Sequence, residues 1–366
     1  MSKDALENLN ILVDKMKNDK AKCQSYVDQI NSLIKYGLNE SKEEKKDELE
    51  IPDKNKNLTY DVDLVDILSI PSKKIAQQLT LVDSMLWSSI ESQEYAHFLW
   101  DSKDVKEKNT KNIQRFIERF NQISFWVSTM ICKTQTLKGR TNVLEKMIKI
   151  AKYCLEIQNF NTTMAILSGL NMAAVSRLKG LWMSLSSKTM NLYAEVEKTM
   201  SYKCNYKNYR DLEYNSKPPL IPFFGLFLKD LTFMNDGNQK ILKNELINFQ
   251  KLRIIYTKIK SVIIIQKILY GFQPDNTIME TTKLNPTESN SENIVKHEIE
   301  MFEYFKILPH YTEMTLLELS KKIENSNSKA YNTIMVAKPT PTRTQSETTE
   351  KSNTTKNPSL IELFQQ

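Results

Sequence analysis

Between about residues 57 and 325 the apolar side chains return every three or four positions in one segment after another, a spacing that admits little besides packed helices. In SKKIAQQLTLVDSMLW, Ile75, Leu79, Val82 and Leu86 share one face behind Ser72 as N-cap. NIQRFIERFNQISFWVSTMIC repeats the pattern through Ile113, Phe116, Phe120, Ile123 and Val127, and VLEKMIKIAKYCLEI through Val143, Met147, Ile150, Ala151 and Cys154. In NFNTTMAILSGLNMAAVSRLKGLW the small residues Ala165, Ser168 and Gly169 permit a neighbouring helix to come close. KILKNELINFQKLRIIYTKIKSVIIIQKILYGF reads as the longest helix, with Leu242, Leu246, Phe249 and Leu252 on one stripe before it becomes apolar nearly all round. No alternating strand pattern of comparable length is present. With only 7 Gly and 11 Pro in 366 residues, the turn chemistry that sandwiches and barrels need is scarce. The expected fold class is all-α and multi-helical.

Three regions follow from where this pattern starts and stops. Residues 1–56 hold a helical segment, with Leu6, Leu9, Leu12, Val13 and Met16 spaced along it, and then the charge run NESKEEKKDELEIPDKNKN, which reads as a solvated linker. Residues 57–325 form the helical domain, within which residues 274–292 look like an exposed loop. Residues 326–366 are rich in Ser, Thr, Lys and Pro and read as a disordered tail ending in SLIELFQQ, either a short docking motif or an amphipathic remnant.

Several function classes lack their residues. There is no GxxxxGK[ST] loop and no GxGxxG opening a helix, so phosphate gripping by this chain is not expected. His97, His297 and His310 are scattered and make no HExxH, and no GxSxG or Cys/His pairing supplies a nucleophile, so neither a metal nor a cofactor is implied. Cys23, Cys132, Cys154 and Cys204 form no CxxC pair and read as buried thiols. The formal charge of +7 arises from 51 basic and 44 acidic residues spread along the chain, with Lys far commoner than Arg, which argues against a nucleic-acid partner. The start MSKDALENLN has no apolar signal core, and no segment approaches the roughly 20 apolar residues of a membrane span. The expectation is a cytoplasmic protein, open to recruitment to the cytosolic face of membranes.

The most unusual stretch is KPPLIPFFGLFLKDLTFMNDGNQK, residues 217–240. Pro218 and Pro219 stop the segment before it and Pro222 suits the first turn of a new helix. Phe223, Phe224, Leu226, Phe227, Leu228 and Leu231 cover more than one stripe, Lys229, Asp230, Thr232, Asn235 and Asp236 form a polar edge, and Gly237 with Asn238 supplies a stop and a tight turn. This predicts a helical hairpin with a polar tip. On pattern alone it is either an ordinary αα-hairpin or a wedge that competes for a partner's phosphate-binding groups.

The segments QQLTLVDSMLW, NIQRFIERFNQISFWVSTMI, NFNTTMAILSGLN, SRLKGLW, YKNYR, PPLIPFFGLFLKDLTFMNDGN and ELINFQKLR resemble, in order and spacing, the catalytic domain of Ras guanine-nucleotide exchange factors over about residues 57–325. The resemblance implies a helical bowl that grips a small GTPase around switch II. It also implies a hairpin that pushes switch I aside and disturbs the magnesium and phosphate site, so that nucleotide leaves without covalent chemistry. Matched residue by residue, Thr232 and Asp236 face the emptied metal and phosphate region, Asn238 holds the turn, and Lys229 and Phe233 flank the displaced switch. The switch II grip matches Trp126, Met164, Ser168, Asn171, Asn205, Tyr206 and Phe224, of which Trp126, Met164 and Phe224 suit a hydrophobic core equally well.

Two departures from the family bear on how well such a hairpin works. Some members carry a larger aliphatic residue and a Glu where this chain has Thr232 and Asp236, which implies weaker metal exclusion and a shorter carboxylate reach. Exchange factors of Ras itself usually have an N-terminal helical exchanger motif that braces the hairpin, and residues 1–50 are short for a complete one. Some Ral-type factors lack that motif, so the implied partner is a GTPase of Ras, Rap or Ral type. The rival reading is a non-catalytic scaffold with a degenerate exchange-factor fold that binds a GTPase without opening it.

Overall fold

The computed structural model describes residues 66–242, 246–283 and 295–335. They belong to the second of two compact units, Asn57–Gln366; the first, Met1–Lys56, lies outside them, as do the expected N-terminal helix, the charged linker, Cys23 and the SLIELFQQ segment.

Fourteen helices and one strand pair make up the described residues. In chain order the helices are α1 Ser72–Ser88, α2 Ser92–Trp100, α3 Lys103–Asn109, α4 Lys111–Lys133, α5 Leu137–Glu156, α6 Phe160–Asn171, α7 Ala173–Ser176, α8 Lys179–Met183, α9 Ser187–Thr199, α10 Lys203–Asn215, α11 Phe224–Asp236, α12 Phe249–Gln266, α13 Met301–Ile307 and α14 Glu313–Met335. Strands β1, Ile278–Lys283, and β2, Val295–Glu300, pair antiparallel from Ile278 opposite Glu300 to Lys283 opposite Val295. The all-α class holds, and no described helix is long and apolar enough to cross a membrane.

The core gathers around α4 and α6. Every apolar position expected to be buried on α1, α4 and α5 is buried. Gly169 lies so close to α4 that a Cβ there would sit 2.5 Å from the Ser124 carbonyl oxygen and 2.9 Å from Val127 Cβ. Two hydroxyls use that proximity: Ser124 donates to the Ala165 carbonyl at 2.9 Å and Ser128 to the Gly169 carbonyl at 2.7 Å. Small residues on α6 thus act as expected, letting backbones meet and exchange hydrogen bonds. Glu94 on α2 caps α4 from outside, accepting from the Asn112 and Ile113 amides at 2.9 and 3.2 Å, where a carboxylate complements the helix N-terminus.

A buried polar hub ties four segments together. The Asp83 carboxylate of α1 accepts from Arg119 Nε of α4 at 3.1 Å, from Asn159 Nδ2 at 3.0 Å and from the Thr162 hydroxyl of α6. Arg119 also reaches the Lys306 carbonyl of α13 at 3.3 Å. Asn159 caps α6 by accepting from the Thr162 amide, and its neighbours Gln158 and Phe160 bond both sides of Ile221, which anchors the chain leading into α11.

The structure departs from the sequence expectations at several places. Helix α1 begins at Ser72 after Pro71, with no side-chain cap, so Ser72 is its first residue and not its N-cap. The stretch expected as one helix from residue 240 starts only at Phe249, and Leu242, Leu246, Phe249 and Leu252 are exposed; Lys251, Ile255, Val262 and Gln266 form the buried face of α12 instead. Residues 278–283, expected in a loop, form β1, while 284–292 lie outside the described residues. Helix α14 runs to Met335, beyond the expected boundary at 325. Cys132 and Cys154 are buried, but Cys204 is exposed.

Candidate functional site

Helices α11 and α12 form the expected hairpin, and aromatic packing fixes its base. Phe224 meets Phe116 edge-on at 5.1 Å between ring centroids, and Phe227 meets Tyr95 at 5.6 Å. The Phe224 amide donates to Asn161 Oδ1 at 3.3 Å. Both apolar faces of the first helical turns are therefore spent on the core, and only the later turns project.

At the far end, Asn238 holds the turn twice. Its side-chain amide donates to the Met234 carbonyl at 2.8 Å, and its own carbonyl accepts from the buried Lys251 ammonium at 3.0 Å. Gly237 ends α11 at φ −71°, in right-handed backbone, so the stop does not use a left-handed glycine. The connection is a narrow ribbon in place of a tight turn: Ile241 bridges Ile247, Leu242 donates to the Leu246 carbonyl at 2.8 Å, and the Asn248 amide to the Lys240 carbonyl at 2.9 Å. Asn248 then caps α12 by accepting from the Lys251 amide at 3.2 Å. The expected polar tip is thus joined by exposed apolar side chains, Phe233, Ile241, Leu242, Leu246 and Ile247.

The predicted hairpin residues share this end. Asp236 is exposed, and its Oδ1 accepts from Asn235, whose own side-chain oxygen accepts from the Trp100 indole at 3.0 Å. Thr232 is half-buried with its hydroxyl donating to the Leu228 carbonyl at 3.0 Å, so its methyl is the freer group. Phe233 is 62% exposed, and the Lys229 ammonium sits 5.4 Å from its ring centroid.

The remaining predicted residues fall into two sets. Trp126, Met164 and Phe224 are buried, and the Trp126 indole donates to the Tyr304 hydroxyl at 3.0 Å, so all three belong to the core. Ser168 and Asn171 are half-buried on α6, with Asn171 accepting from the Tyr193 hydroxyl at 3.1 Å. Asn205 and Tyr206 stand on a backbone the sequence does not announce: Cys204, Asn205 and Tyr206 are consecutively left-handed, with φ of 51°, 55° and 60°. For residues with a Cβ this costs roughly 1–2 kcal/mol each, and such strain persists only where neighbours hold it. Here the Tyr206 ring packs on Phe223 at 5.7 Å and its amide donates to the Tyr202 carbonyl at 3.2 Å.

A model of the RasGEF domain family matches residues 74–253, a span that contains every predicted site residue. The chain carries a RasGEF domain. Ras guanine nucleotide exchange factor J of Dictyostelium discoideum is 39% identical to it over 221 residues, 60% of this chain and 27% of that protein. Factor I of the same organism is 38% identical over 220 residues, again 60% of this chain and 26% of the relative, and factor R is 41% identical over 215 residues, 59% of this chain and 12% of the relative. The chain thus spans about a quarter or less of the length of these relatives. The match to the RasGEF domain ends within α12, so the strand pair, α13 and α14 lie beyond it.

The sequence pattern assigns no role to Arg210, Asn248 and Lys251, and places Asp230 only on the polar edge, yet the structure makes all four central to the hairpin. Asn248 four residues before Leu252 is a legible cap signal; the Arg210–Asp230 pair, 20 residues apart across a Pro-rich break, has no local spacing to reveal it.

Proposed function

We propose that the chain accelerates GDP release from a Ras-family small GTPase by inserting the α11–α12 hairpin beside switch I and the magnesium and phosphate site. The observation that carries this reading is the hairpin's far end, where the exposed Asp236 carboxylate stands among exposed apolar side chains on an element fixed at its base by aromatic packing. A carboxylate brought against the cationic phosphate site of a GTPase takes over hydrogen bonds from phosphate and repels it. Thr232 fills the metal's position, Asn238 keeps the turn closed, and Phe233 with Lys229 flanks the displaced switch. Asn205, Tyr206, Ser168 and Asn171 supply the grip on switch II, with Trp126, Met164 and Phe224 supporting it from the core.

The energetics are those of differential binding. The factor opens its partner only to the extent that it binds the nucleotide-free state better than the loaded one, and rebinding of either GDP or GTP expels it. No bond is made or broken. Partners of this class are lipid-anchored, so we place the chain in the cytoplasm with recruitment to the inner membrane face.

Release of a fluorescent GDP analogue from Ras, Rap and Ral, measured with increasing factor, tests the proposal. Accelerated release from at least one is expected. Saturable binding with no acceleration from any of the three supports the non-catalytic scaffold, which the short side chains of Thr232 and Asp236 favour.

A further inference from the structure

One guanidinium joins the strained turn to the hairpin. Arg210 on α10 donates from Nε to the Asn205 carbonyl at 2.9 Å, while Nη1 and Nη2 donate in parallel to the two Asp230 oxygens of α11, each at 2.7 Å. All three nitrogens of a rigid planar group donate, so the direction of the Asn205 carbonyl and the orientation of the Asp230 carboxylate are fixed relative to each other. Asn205 is the middle residue of the three left-handed positions, and Asp230 lies one residue from Lys229 and two from Thr232. The fork therefore spans the two elements that meet the partner in the exchange reading.

Stability alone does not account for this arrangement. The Arg210 and Asp230 side chains are 30% and 15% exposed, where water weakens an ion pair's contribution to folding. A separate, fully buried bond already fastens α10 to the start of α11: the Tyr209 hydroxyl accepts from the Phe223 amide at 2.9 Å. What Arg210 adds is registry between a strained turn and a projecting helix.

We propose that Arg210 is a positioning residue for nucleotide release, holding the Asn205–Tyr206 turn and the hairpin in one relative geometry through Asp230. The inference rests on the exchange reading. A turn free to relax still contacts the GTPase, but the hairpin then meets the phosphate site out of line, so the loss falls on the maximal release rate and not on the half-saturating concentration.

The test uses the full chain and whichever of Ras, Rap or Ral the wild type opens, loaded with the fluorescent GDP analogue. No release from any of them with wild type overturns the exchange reading and this role with it. Given wild-type release, Arg210→Lys keeps the charge but has a single nitrogen that cannot serve both Asn205 and Asp230. It is expected to lower the maximal rate at least about fivefold, with half-saturation unchanged and Tm within about 2 °C of wild type. Asp230→Asn is expected to give a similar loss, and the double variant no more than either single change, because all three cut the same link. A wild-type maximal rate in Arg210→Lys, a loss that follows the folded fraction, a shift confined to half-saturation, or additive effects in the double variant each overturn the proposal. If Arg210→Lys fails to fold, the rate and half-saturation of Asp230→Asn decide the question alone.

Discussion

Asp236 and Thr232 differ from the residues around them in how little they give to the fold. Asp236 is exposed and, among the described residues, bonds its chain neighbour Asn235, while the Thr232 hydroxyl turns back onto its own helix at the Leu228 carbonyl. Among the described residues neither crosses to another element, so removing both side chains leaves no buried donor or acceptor orphaned there. The double variant Asp236→Ala/Thr232→Ala is expected to keep a urea-unfolding stability within about 0.5 kcal/mol of wild type, while GDP release slows at least about tenfold, as loss of preorganised electrostatic groups does. Loss of both quantities together shows that the hairpin end serves the fold. Trp126 marks the opposite case: with its ring at 0% exposure and its indole N–H bonded to Tyr304, its substitution reaches any partner only through collapse of the core.

At the scale of elements, the difference between what could and could not be read from the sequence is physical. Helices α1, α4 and α5 announce themselves because their apolar side chains recur every three or four residues on a buried face, and periodicity records that kind of burial; α6 is buried nearly all round and shows itself by its small residues instead. The strand pair does not: IMETTK and VKHEIE are six residues each and rich in Thr, Glu, Lys and His, too short and too polar for alternation to stand out. The left-handed run at 204–206 is invisible for a different reason, since no Gly marks it and it is held by the Phe223 ring, 17 residues on, and by the Arg210 guanidinium, itself tied to Asp230 across the Pro-rich break. The late start of α12 is a conflict between pattern and cap. The apolar spacing of Leu242 and Leu246 suggested helix, but Asn248 caps at Lys251 and the Ile241–Ile247 bridge closes the ribbon ahead of it. Asn248 also donates to the Gln239 carbonyl at 2.9 Å, so one amide side chain fixes both the helix start and the ribbon. Asn248→Ala is expected to cost about 1 kcal/mol in urea unfolding and to speed amide exchange at Lys251 and along the ribbon, leaving the amides of α4 and α6 protected. Unchanged exchange at Lys251 means that the cap is not what defines this end of the hairpin.

Beyond single elements, the hub at Asp83 links four of the helices through one buried charge pair. Asp83 and Arg119 are both essentially buried, and between them they touch α1, α4, α6 and α13. Burial pulls the Arg119 pKa down, and the adjacent Asp83 carboxylate opposes that pull. Neither charge is easily tolerated alone in such a site: removing one partner of a buried pair typically costs about 3–5 kcal/mol, largely because the other charge is left without compensation. Arg119→Met isolates the Asp83 carboxylate, which keeps Asn159 and Thr162 as donors but loses its counter-ion. It is therefore expected to lower the unfolding free energy by about 3–5 kcal/mol and to lower exchange activity only through the loss of folded protein. Adding Asp83→Asn removes the stranded charge while the new amide can still accept from Thr162 and Asn159. The double variant should thus be more stable than Arg119→Met alone, a non-additivity that urea unfolding of the two variants reads directly. A double variant less stable than the single one would show that Asp83 stabilises the helices through its bonds to Asn159 and Thr162 more than through its charge.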